Sequence, residues 1–316
     1  MKHFMKHLHA LIISLGILLP LHAQSQINFN TCQLVVIVEE PNKKIEEKLK
    51  APELQAYQQE VELYNSTIKK LINQYWTLSS KPLFVNKQEA ETYVAKKTPD
   101  MLILKNTKYT FNYSDYSSYK LSQKLFQNKN QIVENYSKKQ LPYRATSIVL
   151  QRADQPVEAA SYASASMPNL IQSEADLMYA VKSVMLQLDY RKKGTSEVQL
   201  MKMYINNAPH LKNLTLLVNE TDLDSTVVQD IKVHYKLAIE ITNQENIEKA
   251  ILSGNQGKAV ALVIPNPDGS FSFKVFDAAT MELLAQSGSI PPSEYYPELN
   301  NKIKAKHLEE FTHYCD

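Results

Sequence analysis

Apolar positions along the chain mark out its elements before any other property is considered. Leu34-Val35-Val36-Ile37-Val38 is a short continuous apolar run of the kind that forms a buried strand. From about Pro52 to Trp76, the residues Leu54, Tyr57, Val61, Tyr64, Ile68, Leu71 and Tyr75 recur every three or four positions. That spacing predicts a helix with one buried face. A short strand, Leu83–Val85, a short helix over Gln88–Lys97 and a third strand, Met101–Leu104, follow. Further on, the pattern predicts strands over Thr146–Gln151 and Glu158–Ala163 and a helix over about Ser173–Tyr190.

The same order then returns. Leu214–Val218 reads as a strand and Ser225–Lys236 as a helix with Val228, Ile231 and Tyr235 on one face. Ala238–Ile241 is a strand, Gln244–Ser253 a helix and Ala259–Ile264 a strand, followed by strands Ser270–Phe276 and Leu283–Ser287 and a helix over about Pro292–Phe311. Gln33-Leu-Val-Val-Ile-Val-Glu-Glu aligns with Asn213-Leu-Thr-Leu-Leu-Val-Asn-Glu, and Asn86-Lys-Gln-Glu with Thr242-Asn-Gln-Glu. A recurring order at this scale points to duplication. The expected fold is α/β: two tandem βαβαββα units, each a mixed sheet with helices packed against it. The first unit is placed at 24–192 and the second at 193–316, with 192–212 as the link and a helix within it at Val198–Ile205. Only the first unit carries an insertion, at about 105–144, which opens on a tyrosine-rich run.

Ahead of both units lies an export signal. Lys2 and Lys6 precede a nearly continuous apolar stretch from Leu8 to Leu21, and Ala23 precedes the polar Gln24-Ser25-Gln26. A basic start, an apolar core and a small residue before a polar run predict a signal peptide over 1–23 cleaved after Ala23. The apolar core is shorter than the roughly 20 residues that span a bilayer, and no later segment predicts a transmembrane helix. Without Lys2 and Lys6 the remaining basic residues balance the 33 acidic ones. A neutral chain with no basic block argues against nucleic acid as partner. Localisation is expected to be periplasmic or extracellular. There, Cys32 and Cys315 offer a disulfide stapling the two ends of the chain or, alternatively, two separately buried thiols.

The candidate chemistry is mostly a matter of what is missing. After signal removal, glycine remains only at Gly194, Gly254, Gly257, Gly269 and Gly288, with no phosphate-cradling cluster and no nucleophile-elbow motif. His210, His234, His307 and His313 show no metal-ligand spacing, so neither a metal nor another cofactor is expected. No catalytic residue is assigned. Tyr109, Phe111 and Tyr113 alternate with Thr110, Asn112 and Ser114, and Tyr116 and Tyr119 follow. A strand would set the first three rings on one face, where they either join the core or form an exposed surface for a sugar or a protein.

The hairpin Phe273-Lys-Val-Phe-Asp-Ala-Ala-Thr-Met-Glu-Leu-Leu-Ala resembles the strand-D-x-x-T-G-x-x-L-strand hairpin of bacterial envelope α/β domains. Such domains include the amino-terminal domain of the Tol–Pal propeller protein and the curli-secretion lipoprotein family. Asp277, Thr280 and Leu283 match, and Met281 stands where the pattern has glycine. Gln74-Tyr-Trp followed by Pro82-Leu-Phe-Val is similar to uncharacterised secreted bacterial α/β proteins built the same way. The resemblance implies a fold used for protein contacts and assembly, with no catalytic residues to carry over. The expected function is a non-enzymatic exported envelope protein that binds a protein partner or itself; the alternative is a glycan-binding or carbohydrate-processing protein using Tyr109–Tyr119.

Overall fold

The computed structural model describes residues 27–78, 80–110, 143–156, 161–169, 172–267, 270–290 and 301–315. The first unit contains β1 (Gln33–Ile37), α1 (Ala51–Tyr75), β2 (Leu83–Val85), α2 (Lys87–Ala95), β3 (Met101–Thr110), β4 (Tyr143–Arg152), β5 (Ala163–Ser166) and α3 (Glu174–Lys192). A linking helix, α4 (Glu197–Asn207), leads into the second. That unit contains β6 (Thr215–Asn219), the single turn α5 (Ile231–His234), β7 (Ile239–Thr242), α6 (Gln244–Ser253), β8 (Lys258–Pro265), β9 (Phe271–Asp277), β10 (Leu283–Ile290) and α7 (Ala305–Phe311).

The two sheets have the same topology. The first has the order β2-β1-β3-β4-β5 and the second the order β7-β6-β8-β9-β10. In each, the first three strands are parallel and the last two are added antiparallel. Equivalent backbone bonds recur: Gln33 N donates to Asp100 O as Thr215 N does to Gly257 O, and Ala153 N donates to Met101 O as Ala278 N does to Lys258 O. The second helices start alike, with the side chains of Asn86 and Asn243 accepting from Glu89 N and Asn246 N. These pairs equate Gln33 with Thr215 and Asn86 with Asn243, so the sequence alignment is displaced by two residues in the strand and one at the helix start. A two-residue slip leaves every strand side chain on its original face, so alternation alone does not reveal it.

Packing makes one body of the two units. Leu34, Val36, Leu102, Leu104, Ile148 and Leu150 on one face of the first sheet share a core with α1 and α3. The same core takes in Ile247, Ala250 and Ile251 of α6 and Leu217, Val260, Leu262, Ile264 and Phe276 of the second sheet. On its far face the second sheet packs against α5 and α7 in a separate core, and the far face of the first sheet carries α2. The α1–α3 face of one unit thus meets the α6 face of the other, a head-to-tail arrangement. α3 sits at its centre, with every residue from Ala175 to Val181 buried. A helix apolar all round is one covered on several sides.

Several sequence expectations are corrected. Strand β3 runs to Thr110 and β4 begins at Tyr143, so the edges of the predicted insertion, 105–110 and 143–144, are hairpin strands; 111–142 lie outside the described residues. The fifth strand is Ala163–Ser166 rather than Glu158–Ala163, and residues 157–160 fall outside the described set. Its alternating alanines and serines have low strand propensity and pair by register with β4. The helix predicted over Ser225–Lys236 is reduced to Ile231–His234. Asp224 Oδ1 accepts from Thr226 N and Oγ1 in a local turn, and the β-branched run that follows is a weak helix former. Val228, expected on the buried face, is 44% exposed. Of the closing helix predicted over Pro292–Phe311, the described part is Ala305–Phe311; residues 291–300 are not described. No helix among the described residues is long and apolar enough to cross a membrane.

No disulfide joins Cys32 and Cys315. Cys32 is buried in the core shared by the two units and Cys315 in the separate core under α7, where its Sγ lies 3.3 Å from Ala208 O. The alternative of two separately buried thiols holds, and burial pushes the Cys32 thiol up to about 11.

Candidate functional site

A cleft of about 480 Å³ opens where the two units meet. One wall is α3, contributing Tyr179, Ser183, Leu186, Gln187 and Tyr190; β5 adds Ser164 and Ser166. The other is α4, contributing Leu200, Met201, Met203 and Asn207. The floor is the second sheet, with Ile264, Lys274, Phe276 and Gln286. Three-dimensional ligand sites are commonly of this size and are lined by apolar side chains with a few polar groups.

Each wall is fixed by named contacts. Ser173 and Asp176 cap α3 reciprocally, and Asn169 Nδ2 donates to both Asp176 oxygens at 3.0 and 3.2 Å. Burial nevertheless pushes the Asp176 carboxyl up to about 6. Tyr179 meets Phe276 edge-on at 4.9 Å between ring centroids. Lys182 Nζ donates to Ala279 O at 2.8 Å and Tyr190 OH to Glu282 Oε1 at 3.2 Å, so α3 grips the β9–β10 turn at two points. Arg191 pairs with Glu197, tying the end of α3 to the start of α4. Asn207 Nδ2 donates to Leu283 O at 3.2 Å, tying the other end of α4 to β10.

The β9–β10 turn is held by its own side chains. Asp277 Oδ1 accepts from Ala279 N and Thr280 N at 2.8 and 2.9 Å, and Thr280 Oγ1 accepts from Glu282 N. Met281 has φ +60°, the left-handed conformation that favours glycine. Its side chain is 1% exposed and lies in the core shared by both units. Packing against the first unit holds a methionine where local backbone preference asks for glycine.

One polar group in the cleft stands out. Lys274 projects from the centre of β9, paired in register with Leu262 on one side and Gln286 on the other. It is half-buried, and desolvation lowers its amine below the usual lysine range. Among the described residues it forms no ion pair. Ser183, 8% exposed, lies one helical turn from Tyr179 and interacts with its phenol.

The sequence-predicted site residues lie elsewhere. Tyr109 is on β3 opposite Ala145 and is half-buried, with burial raising its phenol pKa. Phe111, Tyr113, Tyr116 and Tyr119 lie outside the described residues. The carboxyl ends of the parallel strands, where open α/β sheets place ligands, hold an internal network in the first unit. Asn106 Nδ2 donates to Glu39 Oε1 at 2.7 Å, Gln172 Nε2 to Asn106 Oδ1 at 3.1 Å, and Lys108 Nζ to Glu60 Oε1 at 3.3 Å. Among the described residues no group of three His, Cys, Asp or Glu is placed to hold a metal ion. The sequence carries one mark of the cleft: Ala175-Asp-Leu-Met-Tyr-Ala-Val is apolar around most of the helix, the pattern of a helix with a second partner.

Fold and cleft together define a duplicated α/β protein whose two units enclose a ligand-sized space. No protein-family model, curated protein or solved structure matches the chain.

Proposed function

We propose that the chain is an exported, non-enzymatic binding protein of the cell envelope, engaging a protein partner through the rim of its inter-unit cleft. The observation that carries this reading is the surface of α4. Val198 and Met201 are 56% and 59% exposed there, and Met201 also lines the cleft beside Leu200 and Met203. A methionine-rich apolar rim adapts to the side chains of a protein partner because the thioether is flexible and polarisable.

The test is capture from solubilised envelope by the exported protein, in parallel with a Val198→Asp/Met201→Asp variant whose unfolding midpoint is unchanged. A partner recovered by the parent and depleted at least about tenfold by the variant is the expected result; tenfold corresponds to about 1.4 kcal/mol of binding energy. Equal recovery by both would remove α4 from the interface. Recovery of polysaccharide alone would replace this reading with glycan binding.

A further inference from the structure

Beyond a protein contact on α4, the interior of the cleft has the makings of a small-molecule site. Its floor and walls combine Leu186, Leu200, Met203, Ile264 and Phe276 with a single cation, Lys274, set between Leu262 and Gln286 at the bottom. Apolar walls select an apolar body. A cation on the floor, in no ion pair among the described residues, selects an anionic head. Gln286, paired in register beside it, adds an amide donor for carboxylate oxygens.

We propose that the cleft between the two units binds an aliphatic monocarboxylate, its carboxylate on Lys274 Nζ and its chain along Leu186, Leu200, Ile264 and Phe276. A charge-assisted bond in a partly desolvated site is stronger than a neutral one, and the carboxylate supplies an ion-pair partner that no described residue gives Lys274. The lowered amine pKa is in keeping with this: burial disfavours the ammonium until an anion arrives. Glu197 at the cleft edge is paired with Arg191 and does not compete for the lysine.

The probe is decanoate, titrated into the full exported chain by calorimetry, with decanol as its neutral counterpart. Decanoate is expected to bind at least about tenfold more tightly than decanol. Lys274→Met keeps the stem and removes the charge, and is expected to weaken decanoate at least about tenfold while leaving decanol unchanged. A second reading needs no variant: in protein labelled at lysine, the Lys274 ε-methylene signal is expected to move on adding decanoate and to stay in place with decanol. Absence of decanoate binding, equal binding of decanol, or an unmoved Lys274 signal would each overturn the proposal. None of these outcomes bears on the partner recovered through Val198 and Met201, so the two readings fail separately.

Discussion

Replacing Met281 with glycine is expected to destabilise the protein, although glycine is the residue this turn favours. The left-handed backbone at Met281 is unfavourable for a non-glycine residue by about 1–2 kcal/mol, which glycine would relieve. Against that gain, glycine adds about 0.5–1 kcal/mol of unfolded-state entropy. Removing a buried methionine side chain loses about 2–5 kcal/mol, and this one is 1% exposed within the core shared by both units. The net expectation for Met281→Gly is a loss of about 0.5–5 kcal/mol, centred near 3. Met281→Ala keeps the backbone strain and loses the packing, so it should be the worse of the two. Urea denaturation of the three proteins checks the order. A Met281→Gly protein more stable than the parent would mean that contact between the units contributes little at this turn.

Acid is expected to weaken the second unit through His307. Its ring is 2% exposed, stacks on Phe273 with centroids 3.9 Å apart, and accepts from Lys304 N through Nδ1 at 3.0 Å. Protonation would remove that acceptor and place a cation in the core under α7. Burial, with Lys304 and Lys306 adding to it and Glu310 opposing, holds the imidazole down at about 4 against an ordinary 6.5. Between those values the unfolded chain binds the proton and the folded chain does not, so stability falls as pH is lowered. The loss begins near pH 6.5 and is complete near pH 4, at about 1.4 kcal/mol per pH unit and about 3 kcal/mol in all.

Asp176 acts in the opposite sense. Its carboxyl is raised to about 6 from an ordinary 3.8, so its contribution is present below 3.8 and lost as pH rises through 6. The two partly cancel across that window, which makes the parent's profile a poor measure of either. His307→Gln keeps an acceptor at the capping position and removes the titration. The difference between the parent and His307→Gln is therefore expected to shrink or reverse as pH falls from 6.5 to 4. A pH-independent difference would show that the ring titrates normally.

Much of the fold was legible because its signals are local. The three- and four-residue spacing in α1 predicts a helix one residue displaced from Ala51–Tyr75, and the Gln244–Ser253 helix is predicted to the residue. The duplication was legible as element order, and its register was not, because strand periodicity is blind to a shift of two. β5 was misplaced since Ala163-Ser-Ala-Ser carries no strand preference of its own and is defined by its partner. The cleft was the least legible feature. In Phe273-Lys-Val-Phe, Lys274 reads as the solvent-facing residue of an alternating strand, opposite Phe273 and Val275. Only the placement of α3 and α4 over that face turns a surface lysine into the floor of a cleft, and nothing local in the sequence encodes that placement.

That placement rests on the two units sharing one core, and Trp76 can report on it. It is the only tryptophan in the chain, it is 9% exposed, and it belongs to the first unit's side of the shared core. Phe276 belongs to the second sheet and reaches that core through Tyr179. The decisive measurement is urea unfolding of the parent and of Phe276→Ala, followed by Trp76 fluorescence and by far-ultraviolet circular dichroism. A shared core predicts that the substitution lowers the Trp76 midpoint and that both probes still give one coincident transition. A Trp76 midpoint that does not move, with dichroism splitting into two steps, would mean that the units fold apart and that the cleft between them is not a built site.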